Sequence, residues 1–403
     1  MVKEVIVITG FAEALAAPEA VWSLVEAHFG VVGFTRKGRS TALKRSRHLS
    51  LHEITPPEVE SMTAATELAD LLDSISLENP KATLVVLPLD DTSLWLIEQM
   101  PPSDNWISAG PLKGTAELAL NKSRQIALAA QSGLKIPQTC VASQQSDLDT
   151  ELEIPFPMIL RPARAITLRG GRLAKGSNHI CMDHNELCSA RSAWDEEGDL
   201  LVQPYLQGTG EGIFGFATEK GVIAWSGHRR VRMMNPHGSG SSACESRPIS
   251  APEQRSIDLF VKASGWRGLF MVECLRDHEG TLWFVEFNGR SWGSMALARR
   301  QGFEYPAWAV QQALDSLFVP SKIPECQQPL LCRNLGRELM HLLFVARGPK
   351  SKAVKNWPSL WHTLCNVLNF RDRQTFYNWS SADRRVFFAD ALGTISSQLF
   401  KRR

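Results

Sequence analysis

Residues 269–294, LFMVECLRDHEGTLWFVEFNGRSWGS, contain two alternating apolar runs on either side of a short polar stretch, residues 277–280. Alternation with period two around a Gly-containing break predicts an antiparallel β-hairpin. Because successive side chains of a strand point to opposite faces, we expect Glu273, Glu286 and Asn288 on one face of this hairpin. Two carboxylates and one amide oxygen are therefore gathered on a largely apolar element.

The separation of the two carboxylates depends on the hairpin register. If Arg276 opposes Thr281, Glu273 and Glu286 become diagonal neighbours about 7–8 Å apart. Such carboxylates repel each other and lose solvation on an apolar face, a cost that a hard, oxygen-binding cation such as Mg²⁺ removes. Arg290 keeps the same parity, which favours bidentate contact with phosphate or carboxylate oxygens. A hairpin whose glutamates face water is the alternative explanation.

The composition is that of an ordinary globular protein. The 403 residues are 44% apolar and 21% charged, and at about 100–200 residues per domain they form two to four domains. Disordered, collagen-like and coiled-coil chains are excluded. The net charge of +2 gives no reason to expect nucleic acid. From residue 320 onward, however, 14 Lys and Arg stand against 5 Asp and Glu, which predicts either an anionic surface or partner or a solvated helical face.

The cysteines and the N-terminus favour a cytoplasmic protein. The eight cysteines include no CxxC pair, the nearest two being Cys181 and Cys188, so we expect reduced thiols and no zinc site. The N-terminal run before Thr9 has about five apolar residues, too few for a signal peptide. No stretch reaches the roughly 18 apolar residues of a membrane-spanning helix.

The pattern of the chain changes along its length. Residues 1–110 alternate short apolar runs with a helical stretch, as in a small parallel α/β sheet. Residues 115–133 repeat Ala and Leu every three or four positions and end at Gly133, which predicts one helix. From residue 200 the chain is rich in β-type runs, and residues 319–403 are basic and predicted to be mostly helical.

Several other nucleotide-binding and catalytic patterns are excluded. Gly210–Gly215 fits GxGxxG but lies between two predicted strands instead of opening a helix, so a dinucleotide-binding function fails its structural context. The sequence contains no GxxxxGK[ST] loop, no Gly-x-Ser-x-Gly elbow and no set of protein-kinase motifs.

The hairpin and several further segments resemble the ATP-grasp superfamily. Its E…ExN signature on antiparallel strands matches Glu273, Glu286 and Asn288. The Lys-led helix of the superfamily is matched by NKSRQIALAAQSGLKIPQT. Its strand with a phosphate-binding cation resembles FPMILRPA, and its hinge strand beside adenine resembles LLVQPYLQGTGEGIFGF. HRR-x-R…GSGSS…ES and NGR-x-WGS resemble the predicted carboxylate–amine ligases within that superfamily.

The resemblance implies a role for each matched residue. Mg²⁺, with Mn²⁺ as an alternative, would be bound by Glu273, Glu286 and Asn288 and would hold ATP. Lys122 and Arg161 would contact the ATP phosphates, although most relatives have Lys at the second position. The other implied residues are one cation of an atypical loop (Arg169, Arg172 or Lys175, with Lys175 preferred), the adenine-binding Gln203, Tyr205 and Leu206, the ribose-binding Glu211, and the acceptor-site and catalytic Arg229, Arg230, Ser241 and Arg290.

Purely structural explanations stay open for some of these residues. The loop at 169–175 is equally compatible with a solvated basic turn, and Tyr205 with a core position. Arginines and Gly/Ser amides at 228–242 suit a clamped carboxylate and developing negative charge, but Pro-His-Gly-Ser is also common turn material.

The implied architecture is α/β plus α+β. It is an ATP-grasp fold with an N-terminal, Rossmann-like preATP-grasp domain (1–110), an ATP-grasp domain (111–318) and a basic, mostly helical C-terminal extension (319–403). Within the middle domain, a lid at about 140–200 would close over ATP, and residues 201–318 would form the metal- and nucleotide-binding core.

The implied reaction joins a carboxylate to an amine. ATP would phosphorylate a small carboxylate to an acylphosphate, and an amine would then form an amide or peptide bond, with release of ADP and phosphate; an amino acid or peptide is the favoured substrate. Two alternatives are a carboxyphosphate-forming enzyme like biotin carboxylase and a non-catalytic nucleotide-binding subunit. The non-catalytic subunit would be docked by its basic C-terminus, which offers contact with a membrane surface or a carrier protein, and an oligomer is compatible with the sequence.

Overall fold

The computed structural model describes residues 4–101, 103–142, 153–194, 198–238, 240–325, 328–349, 356–369 and 373–399. Its first sheet is parallel, in the order β3-β2-β1-β4-β5: β1 (Val5–Gly10), β2 (Gly30–Arg36), β3 (Ser50–Ile54), β4 (Thr83–Pro88) and β5 (Trp106–Ser108). Its helices are α1 (Ala17–Glu26), α2 (Ser61–Glu78) and α3 (Asp91–Gln99). Val7 packs in the core with α1 and Ile8 in the core with α2. Because helices cover both faces of this sheet, its strands are continuous apolar runs. The predicted parallel α/β unit is confirmed.

The helix predicted over 115–133 is two helices. These are α4 (Gly114–Leu120) and α5 (Lys122–Gln131), separated by Asn121 in an extended conformation. The Asn121 side chain accepts a hydrogen bond from the Arg124 N–H and caps α5, as Asn does at helix N-termini. The prediction of one helix was wrong because Ala/Leu periodicity continues across this cap.

The second sheet is antiparallel and carries a small hairpin. Its strands, in the order β10-β7-β11-β6, are β6 (Cys140–Ala142), β7 (Met158–Pro162), β10 (His179–Cys181) and β11 (Leu200–Pro204). The small hairpin pairs β8 (Thr167–Arg169) with β9 (Arg172–Ala174). Helix α6 (His184–Ser192) follows β10. Gly170 and Gly171 form the turn with φ of 51° and 80°. The Gly171 carbonyl accepts a hydrogen bond from Ser61 at the start of α2. The expected lid range is described only in part, because residues 143–152 and 195–197 lie outside the described residues.

The third sheet has seven strands and contains the hairpin of residues 269–294. Its strands are β12 (Thr209–Thr218), β13 (Gly221–Met233), β14 (Ser241–Ser246), β15 (Gly268–Arg276), β16 (Leu282–Asn288), β17 (Leu331–Arg333) and β18 (Gln374–Phe376), in the order β16-β15-β12-β13-β14-β17-β18. Helix α7 (Ala251–Ser264) connects β14 to β15, and α8 (Met295–Arg299) and α9 (Tyr305–Leu314) follow β16. A Cβ on Gly210 would lie 2.7 Å from Arg230, and one on Gly215 would lie 2.4 Å from Phe270. The glycines of the GxGxxG pattern therefore make room for cross-strand side chains.

The C-terminal region is part of this sheet. It adds β17 beside β14 and β18 beside β17. Its helices are α10 (Leu335–Arg347), α11 (Leu360–Leu368) and α12 (Arg384–Leu399). Cys332 and Tyr377 are buried in a cluster with Cys244 and α8. Arg300 pairs with Glu19 of α1 and donates to the Trp379 carbonyl, so this region also contacts the first unit. It is mostly helical, as expected, but its two short strands were not predicted.

No helix among the described residues has the length and apolar character needed to cross a membrane.

Candidate active site

The candidate active site is a cavity of about 410 Å³ between the four-stranded and the seven-stranded sheets. Ten of the residues expected in the site line it: Lys122, Arg161, Lys175, Gln203, Tyr205, Leu206, Glu273, Glu286, Asn288 and Arg290. Glu211, Arg229, Arg230 and Ser241 do not line it. Residues far apart in the chain thus converge on one cavity.

The register of the hairpin differs from the expectation. Arg276 pairs with Leu282, and Glu273 lies directly opposite Glu286 instead of diagonal to it. The turn is one residue longer than assumed, because the Asp277 carboxylate accepts hydrogen bonds from the backbone N–H groups of Glu279 and Thr281. The two carboxylates are therefore closer than the sequence suggested.

A bulge at Val285 completes this register. Phe284 donates its N–H to the Lys135 carbonyl at 2.8 Å, while the Val285 carbonyl accepts a bond from Arg161. Since contacts from outside the hairpin satisfy these groups, β16 gains one residue between Phe284 and Glu286. Bulges commonly re-aim side chains beside functional sites.

Glu286 is the electrostatic centre of the cavity. Its Oε2 lies 3.5 Å from Lys122 Nζ and 3.3 Å from Arg161 Nη2. Burial alone would raise the pKa of Glu286, but Lys122, Arg161, Arg290 and the more distant Lys175 lower it to about 2. A carboxylate kept ionised among cations is suited to binding a metal ion that is shared with phosphate.

Lys122 and Arg161 are brought together by the backbone. The Lys122 N–H donates to the Ala163 carbonyl just beyond β7, and Ala165 donates back to Leu120. Burial lowers the pKa of Lys122, and Glu286 partly offsets that effect. The break between α4 and α5 therefore places Lys122 beside the Glu286 carboxylate, which Arg161 also contacts.

Glu273 is held by a cation of the third sheet. Arg230 Nη2 lies 2.5 Å from Glu273 Oε1, and the Arg230 Nε is buried without a hydrogen-bond partner among the described residues. Arg230 was expected in the acceptor site. It contacts a wall residue of the cavity without lining the cavity itself.

Asp91 is a site residue that the sequence did not reveal. It lines the cavity and binds Arg290 bidentately at 2.9 and 3.2 Å, and Lys175 lies 3.8 Å away. Burial would raise the pKa of Asp91, but Arg290 and Lys175 lower it. Its only sequence signal was its place in an acidic pair directly after β4, at the end of a buried parallel strand.

The basic loop contributes Lys175 to the cavity. Arg169 and Arg172 lie in the β8–β9 hairpin, which packs against α2, whereas Lys175 lines the cavity with Gly176 and Asn178. The structure thus distinguishes Lys175, which lines the cavity, from the two arginines of the same loop.

The apolar part of the cavity lies beside β11. Gln203 donates to the Thr139 hydroxyl at 2.8 Å, and the Tyr205 N–H donates to the Pro157 carbonyl. Burial raises the pKa of Tyr205. With Ile159 and Leu206, these residues offer apolar walls with a few polar groups, as planar ligands require.

Glu211 does not belong to the cavity. It lies opposite Cys274, on the sheet face away from Glu273. Its two oxygens are held by Arg276 and Arg247 at 2.9 Å. The predicted ribose contact is therefore corrected: this carboxylate belongs to a network of ion pairs, and strand parity turns it away from the site.

The predicted acceptor residues are divided between the two faces of β13. Arg229 pairs with Glu245 on the face opposite Arg230. Ser241 accepts a hydrogen bond from the Cys244 thiol, and Ser239 of the same motif lies outside the described residues. Arg337 of α10 donates to the Ser241 carbonyl at 3.2 Å, so the C-terminal region supports this turn.

The donor set fits a hard cation. Glu273, Glu286 and Asn288 supply carboxylate and amide oxygens on one wall, the chemistry that Mg²⁺ or Mn²⁺ prefers. No group of three or more His, Cys, Asp or Glu suited to a metal was found in the described part of the chain. Any metal here would therefore need the amide oxygen and ligand oxygens besides the two glutamates.

Comparisons with known proteins identify the fold. No protein-family model and no curated protein matches this sequence. The solved structure of L-amino acid ligase from Bacillus licheniformis matches with a TM-score of 0.56 and 16% identity over 78% of this chain and 74% of that one. N5-carboxyaminoimidazole synthetase from Staphylococcus aureus matches with a TM-score of 0.59 and 12% identity over 83% of each chain.

A third similar structure holds nucleotide. The biotin carboxylase domain of 2-oxoglutarate carboxylase from Hydrogenobacter thermophilus, in complex with MgADP, ADP and bicarbonate, has a TM-score of 0.60 and 15% identity over 82% of this chain and 74% of that one. All three are ATP-grasp enzymes. This chain has the ATP-grasp fold, and the fold class expected from its motifs is confirmed.

Proposed function

We propose that this protein is an ADP-forming ligase that joins a small carboxylate to an amine through an acylphosphate. The observation that carries the proposal is the cavity in which Glu273, Glu286 and Asn288 face Lys122 and Arg161. Oxygen donors and cations line the same cavity, as the transfer of a phosphoryl group requires.

The chemistry follows from the poor reactivity of a carboxylate. A carboxylate is anionic and has no good leaving group, so an amine does not attack it. Transfer of the γ-phosphoryl group of ATP to a carboxylate oxygen gives an acylphosphate and ADP. The amine nitrogen then attacks the carbonyl carbon, the C–O bond to phosphate breaks, and the amine loses a proton.

The residues of this chain bind and neutralise the reacting groups. Lys122, Arg161 and Lys175 would hold the phosphates, and Arg290, positioned by Asp91, would stabilise charge on the transferred group. A divalent ion held by Glu273, Glu286 and Asn288 would neutralise phosphate charge. Gln203, Tyr205 and Leu206 would hold the base in the drier part of the cavity.

The substrate class and location belong to the same proposal. An amino acid or peptide is favoured because the fold is shared with an L-amino acid ligase. We place the reaction in the cytoplasm, because the seven described cysteines are free thiols. We also propose that the basic C-terminal region contacts a membrane surface or a carrier protein, because 14 Lys and Arg stand against 5 Asp and Glu from residue 320 onward.

A carboxyphosphate-forming reaction is the second candidate. It is favoured by the shared fold with a biotin carboxylase domain that was solved with MgADP and bicarbonate. The two candidates differ in one requirement. Release of ADP that depends on bicarbonate, and not on an amino acid or peptide, would replace the first proposal with the second.

The test is a screen for ADP release from Mg-ATP across amino acids and dipeptides, followed by mass measurement of the product. We expect one carboxylate–amine combination to yield ADP, phosphate and an amide whose mass is the sum of its substrates minus water. If neither a carboxylate nor bicarbonate releases ADP although the protein binds ATP, the non-catalytic alternative replaces both candidates.

The Glu286→Gln variant tests the cavity assignment within that screen. We expect at least about a hundredfold loss of turnover, because the amide neither carries the charge nor binds the metal as well. Glu279→Gln is the matched control, since Glu279 lies exposed in the turn of the same hairpin. Equal turnover of the Glu286→Gln variant and the control would show that the metal assignment is wrong.

A further inference from the structure

The β8–β9 hairpin is attached to the first α/β unit by two backbone hydrogen bonds. The Ser61 N–H donates to the Gly171 carbonyl, and the Leu173 N–H donates to the Pro57 carbonyl, each at 2.8 Å. We call this pair of bonds the clasp. Within the described part of the chain, β8 and β9 form a two-stranded sheet of their own. Because a lone hairpin is only marginally stable in water, contacts from outside decide where it lies.

The hairpin presents its side of the clasp outward. Gly170 and Gly171 form its two-residue turn, and Leu173 lies opposite Leu168. Because hydrogen-bonded and non-hydrogen-bonded pairs alternate along an antiparallel ladder, this second pair from the turn directs the Leu173 N–H away from the opposite strand. The Leu173 side chain is only 4% exposed, so the rest of the protein covers it as well.

The first α/β unit offers a fixed partner. Ser61 is the first residue of α2, and its N–H has no partner inside the helix. The Ser61 side chain is buried, and its Oγ has no hydrogen-bond partner among the described residues, so the N–H alone serves the clasp. Glu58, which follows Pro57, binds Arg36 of β2 at 2.9 Å. The segment before α2 is therefore anchored to the parallel sheet.

The clasp lies close in sequence to a cation of the cavity. Lys175 follows the last residue of β9 and lines the cavity, with its Nζ 3.8 Å from Asp91. The Lys175 side chain is 75% exposed, so its surroundings fix it only weakly. The position of its backbone depends on β9, and the position of β9 depends on the clasp.

We propose that Ser61 and Pro57 are positioning residues, which hold β9 so that Lys175 reaches the phosphates of ATP. This inference rests on the proposed function, in which Lys175 binds those phosphates. The first α/β unit then acts on the nucleotide twice, through the clasp and through Asp91, which holds Arg290. A loop that is already in place binds its ligand more tightly than one that must be ordered on binding, because ordering costs conformational entropy.

The Ser61→Pro variant opens the clasp with little other change. Proline is favoured at the first position of a helix, and Glu60 before it is extended, with φ −155° and ψ 104°, as the residue before a proline requires. The variant loses the N–H that donates to the Gly171 carbonyl. Ser61→Ala is the matched control, because it keeps this N–H and removes only the Oγ. A thermal unfolding midpoint equal to that of the unmodified protein shows that each variant is folded.

Hydrogen exchange without nucleotide tests whether the clasp holds the hairpin. We expect the backbone amides of residues 173–178 to exchange at least about tenfold faster in Ser61→Pro than in the unmodified protein and in Ser61→Ala. Leu173→Ala weakens the same attachment from the hairpin side, leaves α2 unchanged, and should accelerate exchange over residues 174–178. Equal exchange rates in all four proteins would overturn the proposal.

A double-mutant cycle tests whether the clasp acts through Lys175. Calorimetry should show Mg-ATP affinity reduced about tenfold by Lys175→Met and about threefold to tenfold by Ser61→Pro. The double variant should bind Mg-ATP like Lys175→Met alone, because the clasp has no effect once the lysine is gone.

Two results of this cycle would reject the inference and leave the proposed function standing. One is a double variant whose loss of affinity is the product of the two single losses. The other is a Ser61→Pro variant that binds Mg-ATP as tightly as Ser61→Ala does. Absence of Mg-ATP binding by the unmodified protein would instead reject the proposed function together with the inference.

Discussion

Single residues of this site depend on partners far along the chain. Arg290 is held by Asp91, which is 199 positions away, and Glu286 is held by Lys122. Strand parity and the E…ExN spacing, which are local signals, pointed to Arg290 and Glu286, and the resemblance of its helix to the Lys-led helix of ATP-grasp enzymes pointed to Lys122. It did not point to Asp91, because nothing local distinguishes a carboxylate that closes an ion pair from one that begins a helix.

The Asp91→Asn variant should lower kcat while leaving stability nearly unchanged. Asn cannot hold the guanidinium of Arg290 as strongly, and misplacement of a stabilising charge costs about tenfold to a hundredfold in rate. The measurement is steady-state ADP release together with a thermal unfolding curve.

Asp90→Ala provides the contrast at the neighbouring position. Asp90 caps α3 by accepting a hydrogen bond from Ser93, and loss of such a cap costs about 1 kcal/mol. We expect it to lower stability with little effect on kcat. If Asp91→Asn behaves in the same way, Asp91 is a structural residue only.

The elements show where local patterns stop being sufficient. The hairpin β15–β16 was predictable from alternation, yet its register was not, since the bulge at Val285 depends on Lys135 and Arg161 from other elements. Similarly, α4 and α5 read as one periodic helix. Glu286 lies opposite Glu273 instead of Met271, a shift of two positions, and α5 begins at Lys122 after a break that the periodicity does not show.

Helix α7 carries a pH-dependent contribution to stability. Burial would raise the pKa of Glu253, but hydrogen bonds and ion pairs with Arg247, and a further bond from Arg276, lower it to about 2. A carboxylate with a lowered folded-state pKa stabilises the fold fully above its unfolded pKa, near 4.5. That contribution is lost as the pH falls from about 4.5 towards 2.

The Glu253→Gln variant should therefore be less stable than the unmodified protein at pH 6, by about 2–3 kcal/mol. The difference should shrink as the pH falls towards 3. Urea unfolding at several pH values measures it. A difference that stays constant with pH would mean that the capping box of α7, and not the charge, is the source.

At the scale of the whole molecule, the units built on the three sheets each contribute residues to the cavity. Helix α3, which follows the parallel sheet, supplies Asp91, the four-stranded sheet supplies Arg161 and Gln203, and the seven-stranded sheet supplies the oxygen donors. The ATP-grasp fold was predictable because its motifs occur in order along the chain. The role of the C-terminal region was not, because β17 and β18 have three residues each, too few for a recognisable pattern.

Removal of residues 329–403 should prevent folding. This deletion exposes the β14 edge and removes Cys332 and Tyr377 from a buried cluster. It also removes the Trp379 carbonyl that accepts a hydrogen bond from Arg300. We expect an insoluble chain or one without a cooperative transition in circular dichroism melting, whereas a chain ending at residue 399 should melt like the full protein. A cooperative, monomeric product from the shorter chain would contradict this view of the C-terminal region.

The late position of β17 has a consequence for biosynthesis. The partner strand, β17, is complete only 87 positions after β14 ends, so a ribosome adding about 5–20 residues per second leaves that edge open for about 4–17 s. Unpaired strand edges associate with other chains. Each newly made polypeptide therefore passes through an interval in which aggregation competes with completion of its own sheet, and chaperone supply during translation becomes a determinant of yield.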